Sequence, residues 1–297
     1  MNRSPLLGIA LVLLAVACFA TLDTITKLVT LTVPVMFALW FRYAFQAVAT
    51  TVIMWPQRQS SLWATQNLGL QCLRGALLLL TSMLTFFCLT FMPVGEFTAV
   101  AMTTPLVVTL LAAWLLKEQV SIWRWLLVAG GFVGTLCIIK PGGDMWNWLL
   151  LVPLFQVLAY ASFQILTSRM VRTEDPITMH FYTGWVGTAL ATPPLWFYWQ
   201  PPQTWQTWMG LVLMGLAGSS GHFFLIHAFR KAPAAALTPI FYAQIGMAIL
   251  GGWLMFAHLP DSWSIAGMVL IACCGATSTW LAVRQPQQPP LKHGPVL

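Results

Sequence analysis

The sequence predicts an all-α polytopic membrane protein with ten transmembrane helices, arranged as two inverted five-helix repeats. Three observations predict it. Apolar runs of about 20 residues recur along nearly the whole chain, basic residues fall on alternate connections, and the two halves echo each other at an offset of about 140 residues.

Composition sets the frame. Of 297 residues, 59% are hydrophobic and only 7% are charged, whereas soluble domains carry about a quarter charged residues. So few charges cannot clothe an aqueous surface. The net charge of +7 would suggest a nucleic-acid partner in a soluble protein; here the placement of the basic residues assigns them to topology, and no nucleic acid is expected. Cys18, Cys72, Cys88, Cys137, Cys273 and Cys274 all fall in apolar stretches without metal-ligand spacing, so they read as buried small hydrophobes and no metal is expected.

Hydropathy and chain-breaking residues place the spans at about 6–30, 34–55, 70–91, 94–116, 121–140, 147–169, 177–199, 207–229, 234–257 and 262–283. Arg3 followed by Ala15-Val16-Ala17-Cys18 resembles a signal-peptide or lipoprotein cleavage site. The apolar run continues to Thr30, however, long enough to cross a bilayer, and reads as the first span. Residues 6–140 form the first repeat and 147–283 the second, while the Pro/Gln-rich stretch 284–297 reads as a disordered tail. The short connections leave no room for an extramembrane domain.

With the N-terminus inside, eleven basic residues (Arg3, Arg58, Arg74, Lys117, Arg124, Arg169, Arg172, Arg230, Lys231, Arg284, Lys292) fall on cytoplasmic ends and only Lys140 outside. That asymmetry puts both termini in the cytoplasm. Trp55, Trp63, Trp123, Trp146, Trp148, Trp199, Trp205, Trp208 and Trp263 sit at span ends, as an interfacial aromatic belt requires.

Phe19 to Lys27 aligns with Tyr160 to Ser168, Met92 to Ala99 with Ala232 to Pro239, and Val120-Ser-Ile-Trp with Pro260-Asp-Ser-Trp after one residue of slip. Five spans per repeat is an odd number, so the second copy enters the membrane with opposite orientation. Inverted repeats suit alternating access around a midplane site.

Ionisable groups inside a bilayer are candidates for function because burying them costs several kcal/mol. Asp23 and Lys27 are four apart on one face of the first span and can neutralise each other. Asp23 and Arg42 each lie roughly 10 to 12 Å deep at a rise of 1.5 Å per residue, so a three-charge cluster is expected. Its structural counterpart is a salt-bridged staple, and Lys27 can also snorkel to the interface. Glu96 opens the fourth span, where a carboxylate complements a helix N-terminus even without function. Arg74 reads as a positive-inside anchor. In the second half His222, Tyr242 and Tyr160 fall at similar depth and are expected to face one cavity, with Gln164 and Gln244 adding hydrogen-bonding amides. An interhelical hydrogen bond is the alternative for each. Pro105 and Pro239 lie within spans as candidate hinges.

Further motifs are Asp23-x-x-x-Lys27, Arg42-Tyr43, Arg74-Gly75, Glu96-x-Thr-Ala, Lys117-Glu118, Tyr160-x-x-x-Gln164, Gly221-His222, Ala228-Phe-Arg-x-Ala-Pro233, Pro239-x-x-Tyr242-x-Gln244 and Leu259-Pro260-Asp261. Together they resemble the drug/metabolite transporter superfamily, EamA type, over about residues 6–283. They look closest to bacterial members that include S-adenosylmethionine and riboflavin carriers. The resemblance implies a ten-helix fold, a small-molecule metabolite as substrate, no cofactor and residence in a bacterial inner membrane. It leaves open a coupled proton, an exchanged solute and a homodimer. One departure is His258, where many relatives carry a glutamate before Pro-Asp.

Three function classes compete. A secondary transporter fits the repeat and the sparse intramembrane charge, and no Gly-x-x-x-x-Gly-Lys-Ser/Thr loop exists to bind ATP. An enzyme is tempting only at Gly218-Ser219-Ser220-Gly221-His222, but Ser220 and His222, two apart on a helix, point to different faces. A receptor or scaffold that binds without moving its ligand remains the other reading.

Overall fold

The computed structural model describes residues 5–115, 121–140, 148–171, 173–231 and 240–284. Lys117, Glu118, Pro239 and the tail beyond Arg284 therefore lie outside the described residues. The described helices are α1 (Pro5–Val29), α2 (Val35–Arg58), α3 (Leu68–Phe91), α4 (Val94–Ala101), α5 (Thr104–Leu115), α6 (Ile122–Ile139), α7 (Val152–Met170), α8 (Pro176–Leu195), α9 (Trp205–Lys231), α10 (Ala243–Phe256) and α11 (Ser262–Arg284). No strand occurs among the described residues. With α4 and α5 taken as two pieces of one span, these helices are the ten that hydropathy predicts, and the protein is a helical polytopic membrane protein.

Four helical stretches, Leu6–Val29, Val35–Arg58, Leu68–Phe91 and Trp205–Leu225, are long and apolar enough to cross a membrane on their own. Five more are apolar but shorter. α8 is in neither group. Along it Thr183, Thr188 and Thr192 return their hydroxyls to carbonyls one turn back at 2.7 to 2.8 Å, which satisfies polar side chains without water.

Local chemistry sets the helix ends. Asn67 caps α3 by accepting from Leu70 N at 3.0 Å, and Asp175 caps α8 by accepting from Ile177 N and Thr178 N. The fourth span breaks at Met102 and Thr103. Pro105 lacks the N–H that would reach Ala101 O, and the Thr104 hydroxyl takes that carbonyl instead at 2.6 Å.

The two halves of the chain interleave. α1 packs along α9 and α10, α3 along α7 and α8, α2 against α8 and α9, α7 against α4 and α5, α4 against α10, and α6 against α11. α6 crosses α11 closely. A Cβ on Gly134 would stand 2.8 Å from Gly267 O, and one on Gly267 would meet Gly134 O in turn. Small residues let backbones approach where lipid offers no hydrophobic drive. The outer surface is apolar, with Trp55, Trp63, Trp123, Trp199, Trp205, Trp208 and Trp263 all exposed near helix ends. Two cysteines depart from the expectation of burial: Cys72 and Cys273 are on this surface.

Candidate functional site

The buried polar groups gather where α1, α2, α3, α7, α9 and α10 meet. α2 presents Arg42 and Tyr43 in succession, both buried. Arg42 Nη1 donates to Ser82 Oγ on α3 at 2.8 Å, and Tyr43 OH shares a hydrogen bond with the same oxygen at 2.9 Å. The guanidinium carbon is 4.9 Å from the Tyr43 ring centre. Nη2 is 3.4 Å from His222 Nε2 on α9, and the His222 ring meets Phe19 of α1 edge-on at 5.0 Å. Gly218, one turn before His222, makes room for the guanidinium: a Cβ there would be 2.9 Å from Arg42 Nε.

Asp23 is buried on α1 and accepts from Gln244 Nε2 of α10 at 3.4 Å. Tyr160 on α7 stacks on Phe163 at 5.9 Å and lies within electrostatic reach of Gln164, Asp23 and Arg42. Asp23, Arg42, Tyr160, Gln164, His222 and Gln244 are thus brought together from both halves of the chain.

Three candidates go elsewhere. Lys27 does not pair with Asp23 as its spacing suggested: Nζ donates to Leu89 O at 2.9 Å and Met92 O at 2.6 Å. The carbonyls at the end of α3 have no helical partners and carry the negative end of the helix dipole, so they attract the ammonium away from its neighbour on α1. Glu96 remains in the first turn of α4, but its Oε1 is 3.0 Å from His258 Nε2, the residue where the family resemblance broke. Lys27 feels the Glu96 charge, so these three form a second cluster at the end of the bundle where α3 finishes and α4 begins. Tyr242 does not face His222. It packs in the cluster with Ile138, Met268 and Ile271, its hydroxyl against Gly275 of α11. Pro105 lies at the break between α4 and α5.

Sequence reading missed a second buried arginine. Arg74 is no interfacial anchor: it is 4% exposed, its Nε donates to Thr167 Oγ1 at 3.0 Å, and its Nη1 donates to Met179 O at 2.9 Å and Thr183 Oγ1 at 2.6 Å. Phe163 lies under its guanidinium at 5.1 Å. Beside it His180 meets Gln46, whose Nε2 donates to His180 O at 3.2 Å. The available signal was Thr167, Met179 and Thr183, which offer acceptors on two neighbouring helices. Arg74 stands only six residues into α3, so its position alone read as a membrane-edge charge.

At the bundle ends lie pairs of a different kind. Glu174, 7% exposed, accepts from Thr65, from the backbone N–H groups of Gln66 and Asn67, and from Gln71. It thereby ties the α7–α8 connection to the start of α3. Lys140 and Asp261 pair in the open between α6 and α11. The Lys140 ammonium and the Ser264 N–H hold the Asp261 carboxyl down at about 2.

An apolar helical bundle with buried, unpaired charges of both signs at the junction of its halves has the build of a polytopic transporter. A model of the EamA-like transporter family matches residues 6–140 and 146–277, and the chain belongs to that family, within the drug/metabolite transporter superfamily. It is 27% identical over 272 residues to an S-adenosylmethionine uptake transporter of Rickettsia conorii, covering 91% of each chain. It is 27% identical to a riboflavin transporter of Vibrio cholerae, over 70% of this chain and 71% of that one. With a pseudopaline exporter of Pseudomonas aeruginosa the identity is 26%, over 92% and 96%. A crystal structure at 18% identity matches with a TM-score of 0.65, covering 93% of this chain and 98% of its own, and shares the fold. The protein is an integral membrane transporter, and its substrate is a small molecule.

Proposed function

We propose that this protein is a secondary, ATP-independent transporter that moves a small polar or amphipathic metabolite by alternating access, with the Asp23, Arg42, Tyr160 and His222 cluster as the solute site. The observation that carries this reading is Arg42: buried in the bundle, with a hydroxyl and an imidazole as its side-chain hydrogen-bond partners and no carboxylate within 4.0 Å among the described residues. A permanent charge held at that depth on neutral partners is expensive, and a passing solute accounts for it. Tyr160, Phe163 and Phe19 supply aromatic walls, which suit amphipathic metabolites such as those that name the relatives.

Alternating access needs two related halves. The packing pairs support an inverted repeat over 6–140 and 147–283. Exchanging each span with the one five places on turns α1 on α9 into α7 on α3, and α1 on α10 into α7 on α4 and α5. The same exchange turns α2 on α9 into α8 on α3, and it leaves α2 on α8, α4 on α10 and α6 on α11 unchanged; every one of these contacts exists. The basic residues favour both termini in the cytoplasm of a bacterial inner membrane. A coupled proton or an exchanged solute supplies the driving force.

The test is uptake into ATP-free proteoliposomes, with S-adenosylmethionine, riboflavin and amino acids as probes, each with and without unlabelled solute inside. Saturable uptake that Arg42→Ala abolishes supports the reading. Binding without any movement in either direction would leave a receptor.

A further inference from the structure

The two buried arginines change the charge balance of the membrane interior. Arg42 is 3% exposed and Arg74 4%. Among the described residues the ion pairs within 4.0 Å are Arg58 with Asp175, Lys140 with Asp261 and His258 with Glu96, so no carboxylate reaches either buried arginine. Arg42 Nε is buried with no hydrogen-bond partner at all. The partners of Arg74 are two threonine hydroxyls and a peptide carbonyl. α2 and α3 pack together, and Tyr43, His180 and His222 each lie within electrostatic reach of both guanidinium groups.

Lys27 and Glu96 offset each other at the bundle end. Asp23 lies near Arg42 and offsets one arginine at most. Glu174 is on the α7–α8 connection and is held by uncharged donors; within the spans, with the histidines neutral, Lys27, Arg42 and Arg74 face Asp23 and Glu96, and one positive charge is left over. With Arg74 at the interface these groups would sum to zero and would suit a zwitterion; its burial removes that balance.

We infer that the solute crosses as a net anion, docking a carboxylate or similar oxyanion between Arg42 and Arg74. The inference rests on the transport reading above and narrows its substrate class. Guanidinium forks match carboxylate geometry and bind it in two places at once. Removing one member of a buried, hydrogen-bonded charge pair weakens binding by on the order of 30-fold or more. The loaded site is then neutral, while the empty one carries a positive charge.

The experiment is a thermal-shift titration of the purified full chain with metabolite carboxylates, each paired with its primary amide. Net-anionic acids should raise the melting temperature and their amides should not. Arg42→Gln and Arg74→Gln should each weaken the acids by about 30-fold or more, with Arg42→Lys and Arg74→Lys as charge-keeping controls that recover part of the loss. Melting without ligand identifies any variant that fails to fold, and for such a variant the lysine form and the acid/amide contrast in the natural chain decide. Stabilisation by an amide equal to its acid, an unchanged titration in a folded Arg74→Gln, or no stabilising acid in the panel would each overturn the inference. Counterflow of the same ligand in proteoliposomes separates the two readings: an acid that binds but is not moved removes the transport reading alone, whereas a neutral or cationic solute that is moved removes only the charge inference.

Discussion

Arg42 and Lys27 show how far single residues can be read. Both are charges inside apolar runs, and sequence alone marks both as exceptional. Depth along a helix follows from counting, so Arg42 and Asp23 were legible. The direction of a long side chain does not, and Lys27 went to the carbonyls of α3 rather than to the acid four residues away. Arg42→Ala should abolish uptake while Tyr43 and Ser82 keep their mutual hydrogen bond and the protein still folds. Normal uptake at normal expression would make Arg42 structural. The carboxylates at the two ends differ by burial. Glu174→Gln removes a charge that organises several donors and should destabilise by about 1 to 3 kcal/mol. Asp261→Asn breaks an exposed pair and should cost less than about 1 kcal/mol, vanishing in high salt. Because the folded Asp261 carboxyl is held at about 2 against an ordinary 3.8, its contribution is complete above pH 4 and is lost as pH falls through 2. Melting curves of both variants at pH 7 and pH 3 check this: the difference between Asp261→Asn and the natural chain should be smaller at pH 3.

Helices were legible because a bilayer demands long apolar stretches. Their contacts were not, since lipid is as apolar as leucine and hydropathy says nothing about which face meets a neighbour. Gly134 and Gly267 illustrate the gap: both look like ordinary membrane-helix glycines, yet each is the only residue type that leaves the other helix's carbonyl in place. Tyr242 was misplaced for the same reason, as depth put it level with His222 but rotation turned it toward α11. Gly134→Ala and Gly267→Ala should each separate α6 from α11 and destabilise by about 1 to 3 kcal/mol. Gly246→Ala, whose Cβ would meet nothing within 4 Å, should be neutral or stabilising through helix propensity. Equal melting temperatures for all three would mean that the α6–α11 crossing tolerates a wider spacing.

At the scale of the molecule, the halves are not two bodies side by side: α1 sits among helices of the second half, and α7 among those of the first. On the proposed alternating-access reading, such interleaving would let one related set of helices rock against the other around a shared site. It also ties orientation to repeat structure, which makes the inversion measurable without any substrate. On the proposed repeat the connection after α1 and the connection after α7 are equivalent, yet they are five spans apart, so they should emerge on opposite sides. Leu31 and Thr173 mark these two connections and are both exposed. In intact cells, a membrane-impermeant thiol reagent should label Leu31→Cys and leave Thr173→Cys untouched until the membrane is opened. Leu259→Cys, on the connection before α11, should behave like the first, and Ser61→Cys, between α2 and α3, like the second. Reversal of all four would keep the inverted repeat and turn the protein over in the membrane, against the placement of its basic residues. Labelling of positions 31 and 173 from the same side would end the inversion itself, because an odd number of spans cannot return the chain to the side it left.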